Sequence, residues 1–161
     1  MIHIRQAGAM DARQMAELLN AIIRKGGTTA LTHEVTREAI AKRIEQAPAN
    51  ALWHLAEDEA GHLLGFQYAN PHPDLPPEAC DIATFVKLGT TGLGIGSKLF
   101  ETTKAAARAL GYRWINATIR ADNAGGLAYY QSRGFEDYAR QPNQALADGQ
   151  VVDKISKRFD L

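Results

Sequence analysis

The segment Thr90-Thr91-Gly92-Leu93-Gly94-Ile95-Gly96-Ser97-Lys98-Leu99-Phe100 constrains the fold more than any other part of the chain. Gly92, Gly94 and Gly96 alternate and run straight into a helix-forming pattern. Glycine reaches positive φ and carries no side chain, so successive backbone N–H groups in such a turn converge on one anion. A helix that starts at the same point adds unpaired N–H groups and partial positive charge. Asp81 to Val86 ahead of the turn reads as a short apolar strand. Behind it, Leu99, Thr103, Ala106 and Leu110 mark a helix closed by Gly111, and Trp114 to Ile119 is the next strand. Strand, glycine turn, helix and strand make one crossover that sets two strands in parallel.

Nucleotide-binding loops use the same device, and the neighbouring residues separate them. A P-loop requires Gly-Lys-Ser/Thr at the helix start, whereas Gly96 is followed by Ser97-Lys98 without the GxxxxGK spacing. A dinucleotide-binding turn requires G-x-G-x-x-G after the first strand and an acid at the end of the next one. Here the spacing is G-x-G-x-G, deep in the chain, and the strand at Trp114 to Ile119 ends without an acid.

The rest of the chain alternates short elements around this crossover. Ile2 to Arg5 alternates like a strand, and Asp11 opens a helix with Met15, Leu18, Leu19, Ile22 and Ile23 at helical spacing. Gly26-Gly27-Thr28-Thr29 breaks it, and Thr36 caps a second helix ended before Pro48. Leu52 to Glu57 and Leu63 to Tyr68 form a hairpin across Asp58 to Gly61. Beyond the crossover come a short helix at Gly125 to Arg133, a strand at Phe135 to Ala139 and a last strand at Val151 to Phe159. The expected architecture is α/β on one mixed, largely antiparallel sheet, with residues 1–161 as a single domain.

Charge and cysteine usage narrow the class. Lys plus Arg and Asp plus Glu each number 18, so no net charge draws the chain to nucleic acid or anionic lipid. A lone Cys80 excludes an intramolecular disulfide and a cysteine-built metal site. No His/Asp/Glu cluster shows ligand spacing, so no metal is expected. The start of the chain lacks the apolar run of a leader or a membrane span, and the expected location is the cytoplasm, with no membrane and no nucleic acid as partner.

A second constellation, Asn123-Ala124-Gly125-Gly126-Leu127-Ala128-Tyr129-Tyr130-Gln131-Ser132-Arg133-Gly134-Phe135, follows the crossover. Together with the glycine turn it resembles the GNAT N-acetyltransferases, whose marked segments are Q/R-x-x-G-x-G/A and a later N-x-x-A/S-x-x-x-Y-x-x-x-G-F. The element order from Ile2 to Phe159 also follows the GNAT layout. Within that superfamily the chain looks most like the phosphinothricin acetyltransferase-type branch, through Leu19-Asn20, Gly27-Thr28-Thr29, Gly65-Phe66-Gln67-Tyr68-Ala69 and an acid five residues before Val86. Thr91 stands where the first motif usually has Gln or Arg, which shifts phosphate binding toward backbone amides. His72-Pro73-Asp74 replaces the basic and aromatic residues that follow the third strand in phosphinothricin-acetylating enzymes.

The resemblance implies a fold with splayed central strands and acetyl-CoA as cosubstrate. The pyrophosphate is expected over Thr91, Gly92, Leu93, Gly94, Ile95, Gly96 and Ser97. Pantetheine is expected in the gap between the strand ending at Phe85-Val86 and the one ending at Ile119, with Asn123 at its lip, where the residue also suits a helix N-cap. Tyr130 is the expected general acid, because a phenol with a pKa of about 10 passes a proton to a leaving thiolate without being ionised at neutral pH. Adjacent helical positions point in different directions, so Tyr129 is expected to face elsewhere. Asp81 is the candidate general base, with Glu78, Glu34 and His33 behind it. A carboxylate with a pKa of about 4 needs burial or a water chain for that task. Thr28, Thr29 and Glu34 are the candidate acceptor-binding residues.

The resulting expectation is direct transfer of an acetyl group to the primary amine of a small, amino-acid-like molecule. A nearby Asp81 raises the Cys80 thiol pKa and disfavours a covalent acyl-cysteine route. A non-catalytic acyl-CoA-binding module and an acetyltransferase acting on a protein amine are the alternatives. A homodimer is expected from the branch alone.

Overall fold

Met15, Leu18, Leu19, Ile22 and Ile23 form one buried stripe, which identifies the helix that covers the first half of the sheet. The computed structural model describes residues 1–90 and 92–161. Its elements run β1 (His3–Gln6), a 3-10 turn (Ala9–Asp11), α1 (Ala12–Lys25), α2 (Arg37–Glu45), β2 (Leu52–Glu57), β3 (Leu63–Asn70), β4 (Ala79–Val86), α3 (Ile95–Ala109), β5 (Trp114–Arg120), α4 (Ala124–Ser132), β6 (Glu136–Ala145) and β7 (Val151–Asp160). Among the described residues the strands form one seven-stranded sheet in the order β1-β2-β3-β4-β5-β7-β6. Only the β4–β5 pair is parallel, so the sheet is mixed and largely antiparallel as the sequence implies.

Strand alternation sends the side chains to two faces. Trp53, Leu55, Phe66 and Phe85 pack with Met15, Leu19 and Ile22 of α1 and Ile40 of α2. On the other face Cys80, Ile82, Ile115, Ala117 and Ile119 pack with Phe100 and Ala107 of α3 and Tyr130 of α4. Helices therefore cover both faces, α1 and α2 on one and α3 and α4 on the other.

Several elements differ from the sequence expectation at their ends. Thr36 caps α2 as expected, its Oγ1 accepting from Ala39 N at 3.1 Å. Asp11 opens α1 as its N-cap residue, but its carboxylate makes no capping bond there; it accepts from Gly8 N at 2.8 Å and from Arg5. β6 runs on to Ala145 past Pro142, which an edge strand tolerates because half of its N–H groups face solvent. The helix after the glycine turn starts at Ile95, one turn before Leu99, the first residue of the apolar pattern.

Arg5, Asp11 and Glu57 tie β1 to the 3-10 turn and to β2. Arg5 donates to Asp11 Oδ1 at 2.7 Å and to Glu57 Oε1 at 3.2 Å. The Arg5 guanidinium, helped by the Gly8 N–H, holds the Asp11 carboxyl below its ordinary value of 3.8. Arg5 keeps 43% of its side chain exposed, so water screens part of the attraction. Asp11→Asn should cost about 1 kcal/mol at neutral pH. A depressed carboxyl stabilises the fold above its unfolded pKa, and that stability is lost as pH falls through the folded value. Urea melts of both proteins should therefore differ at pH 7 and converge as pH drops below 3.8.

Candidate active site

The β4–β5 ladder stops almost as soon as it starts. Ala79, Cys80 and Asp81 pair with Trp114, Ile115 and Asn116, after which β4 pairs only with β3 and β5 only with β7. The splay implied by the family resemblance is thus present. From Ile82 to Val86 and from Ala117 to Arg120 the facing edges carry backbone N–H and C=O groups without a ladder, and such groups need a partner. Phe85 and Val86 contribute only backbone to this cleft. The Phe85 ring packs on Phe66 at 5.1 Å, and Val86 packs with Ile95 and Leu99.

The glycine turn lies at the mouth of the cleft. Gly94, the N-cap of α3, adopts φ +76, a left-handed conformation that side chains disfavour. The first N–H groups of α3, at Ile95, Gly96 and Ser97, have no intrahelical acceptor and point out of the helix start. Ile95 is itself buried in the core, whereas Leu93 is exposed. Thr91 lies outside the described residues. Gly96 serves a second purpose: a Cβ there would lie 2.7 Å from Tyr129 Cε1. Ser97 Oγ accepts from Arg133 Nη1 at 2.8 Å, which brings a guanidinium to this helix start.

Tyr129 and Tyr130 do not diverge as expected. Their rings meet edge to face at 4.9 Å and their hydroxyls join one network. Tyr129 Oη donates to Gly96 O at 2.7 Å and accepts from Gln67 Nε2 at 3.2 Å, which locks α4 to the start of α3. Gln67 Nε2 also donates to Thr84 Oγ1 at 2.8 Å, and Thr84 Oγ1 lies 2.9 Å from Tyr130 Oη. Thr84 is a β4 residue bordering the cleft, so Tyr130 reaches the cleft wall. Burial pushes both phenols above their ordinary value, Tyr130 the further, which keeps each protonated at neutral pH.

Asp81 projects from the opposite face of β4, the one shared with Ala83 and Phe85. It sits at the apex where the ladder ends. Asn116 Nδ2 donates to Asp81 Oδ1 at 2.8 Å and to Thr118 Oγ1 at 3.1 Å, while Tyr138 Oη donates to Asn116 Oδ1. Burial raises the Asp81 carboxyl above the usual range; the Asn116 N–H and the charge of His72 pull it back in part. Asp81 and Tyr130 are therefore not in contact, being on opposite faces of the sheet and three β4 residues apart, roughly 10 Å at the strand repeat. Neighbouring Cys80 is fully buried, its thiol pushed up to about 12 by burial and by Asp81.

The loop between α1 and α2 is held against the far end of β5. Arg120 Nη1 donates to Thr29 O at 3.1 Å and Asn123 Nδ2 to Thr28 O at 3.1 Å. Asn123 Oδ1 accepts from Gly126 N at 3.0 Å, so it caps α4 while its amide holds the loop. Both ends of that side chain are thus engaged within the protein. Thr29 Oγ1 accepts from Leu31 N at 3.2 Å. Glu34 pairs with Arg24 on the outer side of the loop, and both are exposed.

Sequence reasoning missed Gln67, Thr84, Asn116, Arg120 and Tyr138. Thr84, Asn116 and Arg120 sit between apolar neighbours, as in Trp114-Ile115-Asn116-Ala117, and that interruption was their only signal; Gln67 also lies in the segment Gly65 to Ala69 that matches the branch. Among the described residues no group of His, Cys, Asp and Glu could hold a metal ion, and no helix is long and apolar enough to cross a membrane.

Comparison with known proteins agrees with this geometry. The model of the acetyltransferase (GNAT) family matches residues 14–135. The chain belongs to that family and is an N-acetyltransferase that takes its acetyl group from acetyl-CoA. A Bacillus subtilis (strain 168) protein named "Putative phosphinothricin acetyltransferase YwnH" is 26% identical over 161 residues, covering 98% of this chain and 94% of its own. Among solved structures, a GNAT superfamily phosphinothricin acetyltransferase from Sinorhizobium meliloti in complex with acetyl-CoA superposes with a TM-score of 0.89 at 22% identity, over 99% of this chain and 88% of that one. A ribosomal-protein-alanine N-acetyltransferase from Brucella melitensis reaches 0.86 at 21% identity, over 99% of both chains.

The double use of Gly96 is open to a double-mutant cycle. Gly96→Ala forces the added methyl against the Tyr129 ring and should cost about 1–3 kcal/mol of stability. Combined with Tyr129→Ala, which empties that space, the same substitution should cost clearly less than it does alone. Chemical denaturation of the four proteins measures the coupling; additive costs would show that the close approach carries no penalty.

Proposed function

We propose that this acetyltransferase acts on the primary amine of a small, amino-acid-like molecule by direct attack in a ternary complex, with Asp81 as base and Tyr130 as acid. The observation that carries this reading is the placement of two proton-handling groups on opposite faces of the sheet, one on each side of the cleft between β4 and β5. The unpaired edges of β4 at Phe85 and Val86 suit the pantetheine amides. The N–H groups at the start of α3 suit the pyrophosphate, with Arg133 beside them supplying positive charge.

The acceptor amine approaches from the α1 and α2 side, where Asp81, raised by burial, takes its proton directly or through water. As the N–C bond forms and the C–S bond breaks, the leaving thiolate takes a proton from Tyr130. Thr84 Oγ1 already accepts from Gln67, so its own hydrogen is free to go to Tyr130 Oη, and the phenol proton stays available to the sulfur. The high pKa of Cys80 supports attack without an acyl-cysteine.

The amino-acid-like acceptor is supported by the relative named for phosphinothricin acetylation and by the α1–α2 loop. Arg120, which holds that loop, lies roughly 13 Å along β5 from Asn116 at the strand repeat, a span for a small molecule. The Brucella protein shares the fold equally well, so the fold itself does not choose the acceptor.

Thiol release from acetyl-CoA tests both parts. Tyr130→Phe should lower kcat by roughly 10²- to 10⁴-fold with the acetyl-CoA KM little changed; a loss confined to Tyr129→Phe would move the acid to its neighbour. Asp81 must be ionised to accept a proton, so activity with a low-pKa amine should rise with pH through its raised pKa, and Asp81→Asn should abolish that limb. Methionine sulfone or sulfoximine should outperform phosphinothricin, polyamines and peptides; preference for a peptide N-terminus would replace the small-molecule reading.

A further inference from the structure

We infer that Asn116, its amide clamped by Tyr138, is the positioning residue that orients the Asp81 carboxylate and sets its protonation. The inference rests on the reading of Asp81 as the base and adds the residues that tune it. Asn116 is 4% exposed and every arm of its side chain is engaged. One amide hydrogen goes to Asp81 Oδ1 at 2.8 Å and the other to Thr118 Oγ1 at 3.1 Å, while Oδ1 accepts from Tyr138 Oη. Thr118 is fixed in turn by Ser156, whose hydroxyl lies 3.2 Å away and accepts from Gln141 Nε2 at 2.9 Å.

This arrangement has one sense. An ionised carboxylate only accepts, so the amide must present N–H to Asp81. The Tyr138 hydroxyl donates to the amide oxygen and removes the reason for a flip; a reversed Asn116 would face an acceptor with an acceptor. A hydrogen bond to the charged form favours ionisation, which opposes the effect of burial. The amide thus holds Asp81 ready to take a proton at a pH where burial alone would keep it protonated. It also aims the carboxylate along the row that crosses the sheet from Asn70 through Asp81 to Asn116.

Other titratable and charged groups lie near Asp81, Cys80 and Tyr130 among them from the opposite face of the sheet. His72 comes from the β3–β4 loop, Cys80 is its neighbour on β4, and Tyr130 from α4 lies within reach of its charge. Arg158 on β7 is the cross-strand partner of Asn116, with its guanidinium committed to Asp160 and to the Trp114 ring at 4.1 Å. Only Asn116 bonds the carboxylate among the described residues.

Carbon-13 titration of the Asp81 side-chain carboxyl in the free enzyme reads the effect without knowledge of the acceptor. Asn116→Ala should raise the Asp81 midpoint by about one pH unit. Tyr138→Phe keeps the ring on Trp114, lies on a side chain 46% exposed, and should shift the midpoint the same way by less. In the thiol assay with a low-pKa amine, the ascending limb of kcat/KM should follow these midpoints while the acetyl-CoA KM stays constant. Midpoints unchanged in both variants overturn the inference, even if Asp81→Asn still abolishes the limb. Midpoints that move while the limb stays in place take the base role from Asp81 and overturn the reading on which the inference rests.

Discussion

Everything at this site depends on a parallel ladder that ends after three residue pairs. Past Asp81 and Asn116, β4 follows β3 and β5 follows β7, so the sheet behaves as two antiparallel halves hinged at one short seam. Each half satisfies its inner hydrogen bonds, and the core under α3 and α4 packs side chains from both, Cys80 and Ile82 with Ile115 and Ala117, which makes the separation affordable. The cost falls on the two facing edges, whose backbone groups are left for solvent or for a ligand with amide groups of its own. An extended amide-bearing chain matches such a gap as a strand would, without any side chain dedicated to it.

The two faces of the seam have separate polar networks. On the α3 and α4 side, Gln67, Thr84, Tyr129 and Tyr130 couple the cleft wall to the start of α3. On the α1 and α2 side, Asp81, Asn116, Thr118, Tyr138 and Ser156 form a row across β4, β5, β6 and β7. Burial acts on both in the same direction, keeping the phenols protonated and raising the carboxyl. One face thus carries neutral phenols and the other a carboxyl of raised pKa, and the sheet itself keeps the two apart.

Much of this was legible in the sequence, and what escaped did so for a physical reason. The glycine alternation announced the turn, and the helical stripes and strand alternation announced nearly every element, because both are local patterns. Tyr130 and Asp81 stood out as candidates through the family motifs. Asn116 and Thr84 were not, since a single polar residue inside an apolar strand looks the same whether it bonds a carboxylate or meets water. Arg120 and Asn123 reach Thr29 and Thr28 across some ninety positions of chain, a distance over which no local pattern speaks. The pairing of Tyr129 with Gly96 escaped for another reason. Three glycines in a turn suggest one shared purpose, yet Gly96 also makes room for a ring.

The anchoring of the α1–α2 loop has an evolutionary consequence. Arg120 and Asn123 grip it by the carbonyl oxygens of Thr28 and Thr29, groups that every amino acid possesses. The attachment is therefore blind to which side chains the loop displays. The side chains of residues 28 and 29 can change while the loop stays tethered to the end of β5 and the start of α4. A scaffold wired in this way leaves attachment to the backbone and display to the side chains, so the surface that the loop presents can change without disturbing the contacts that hold it.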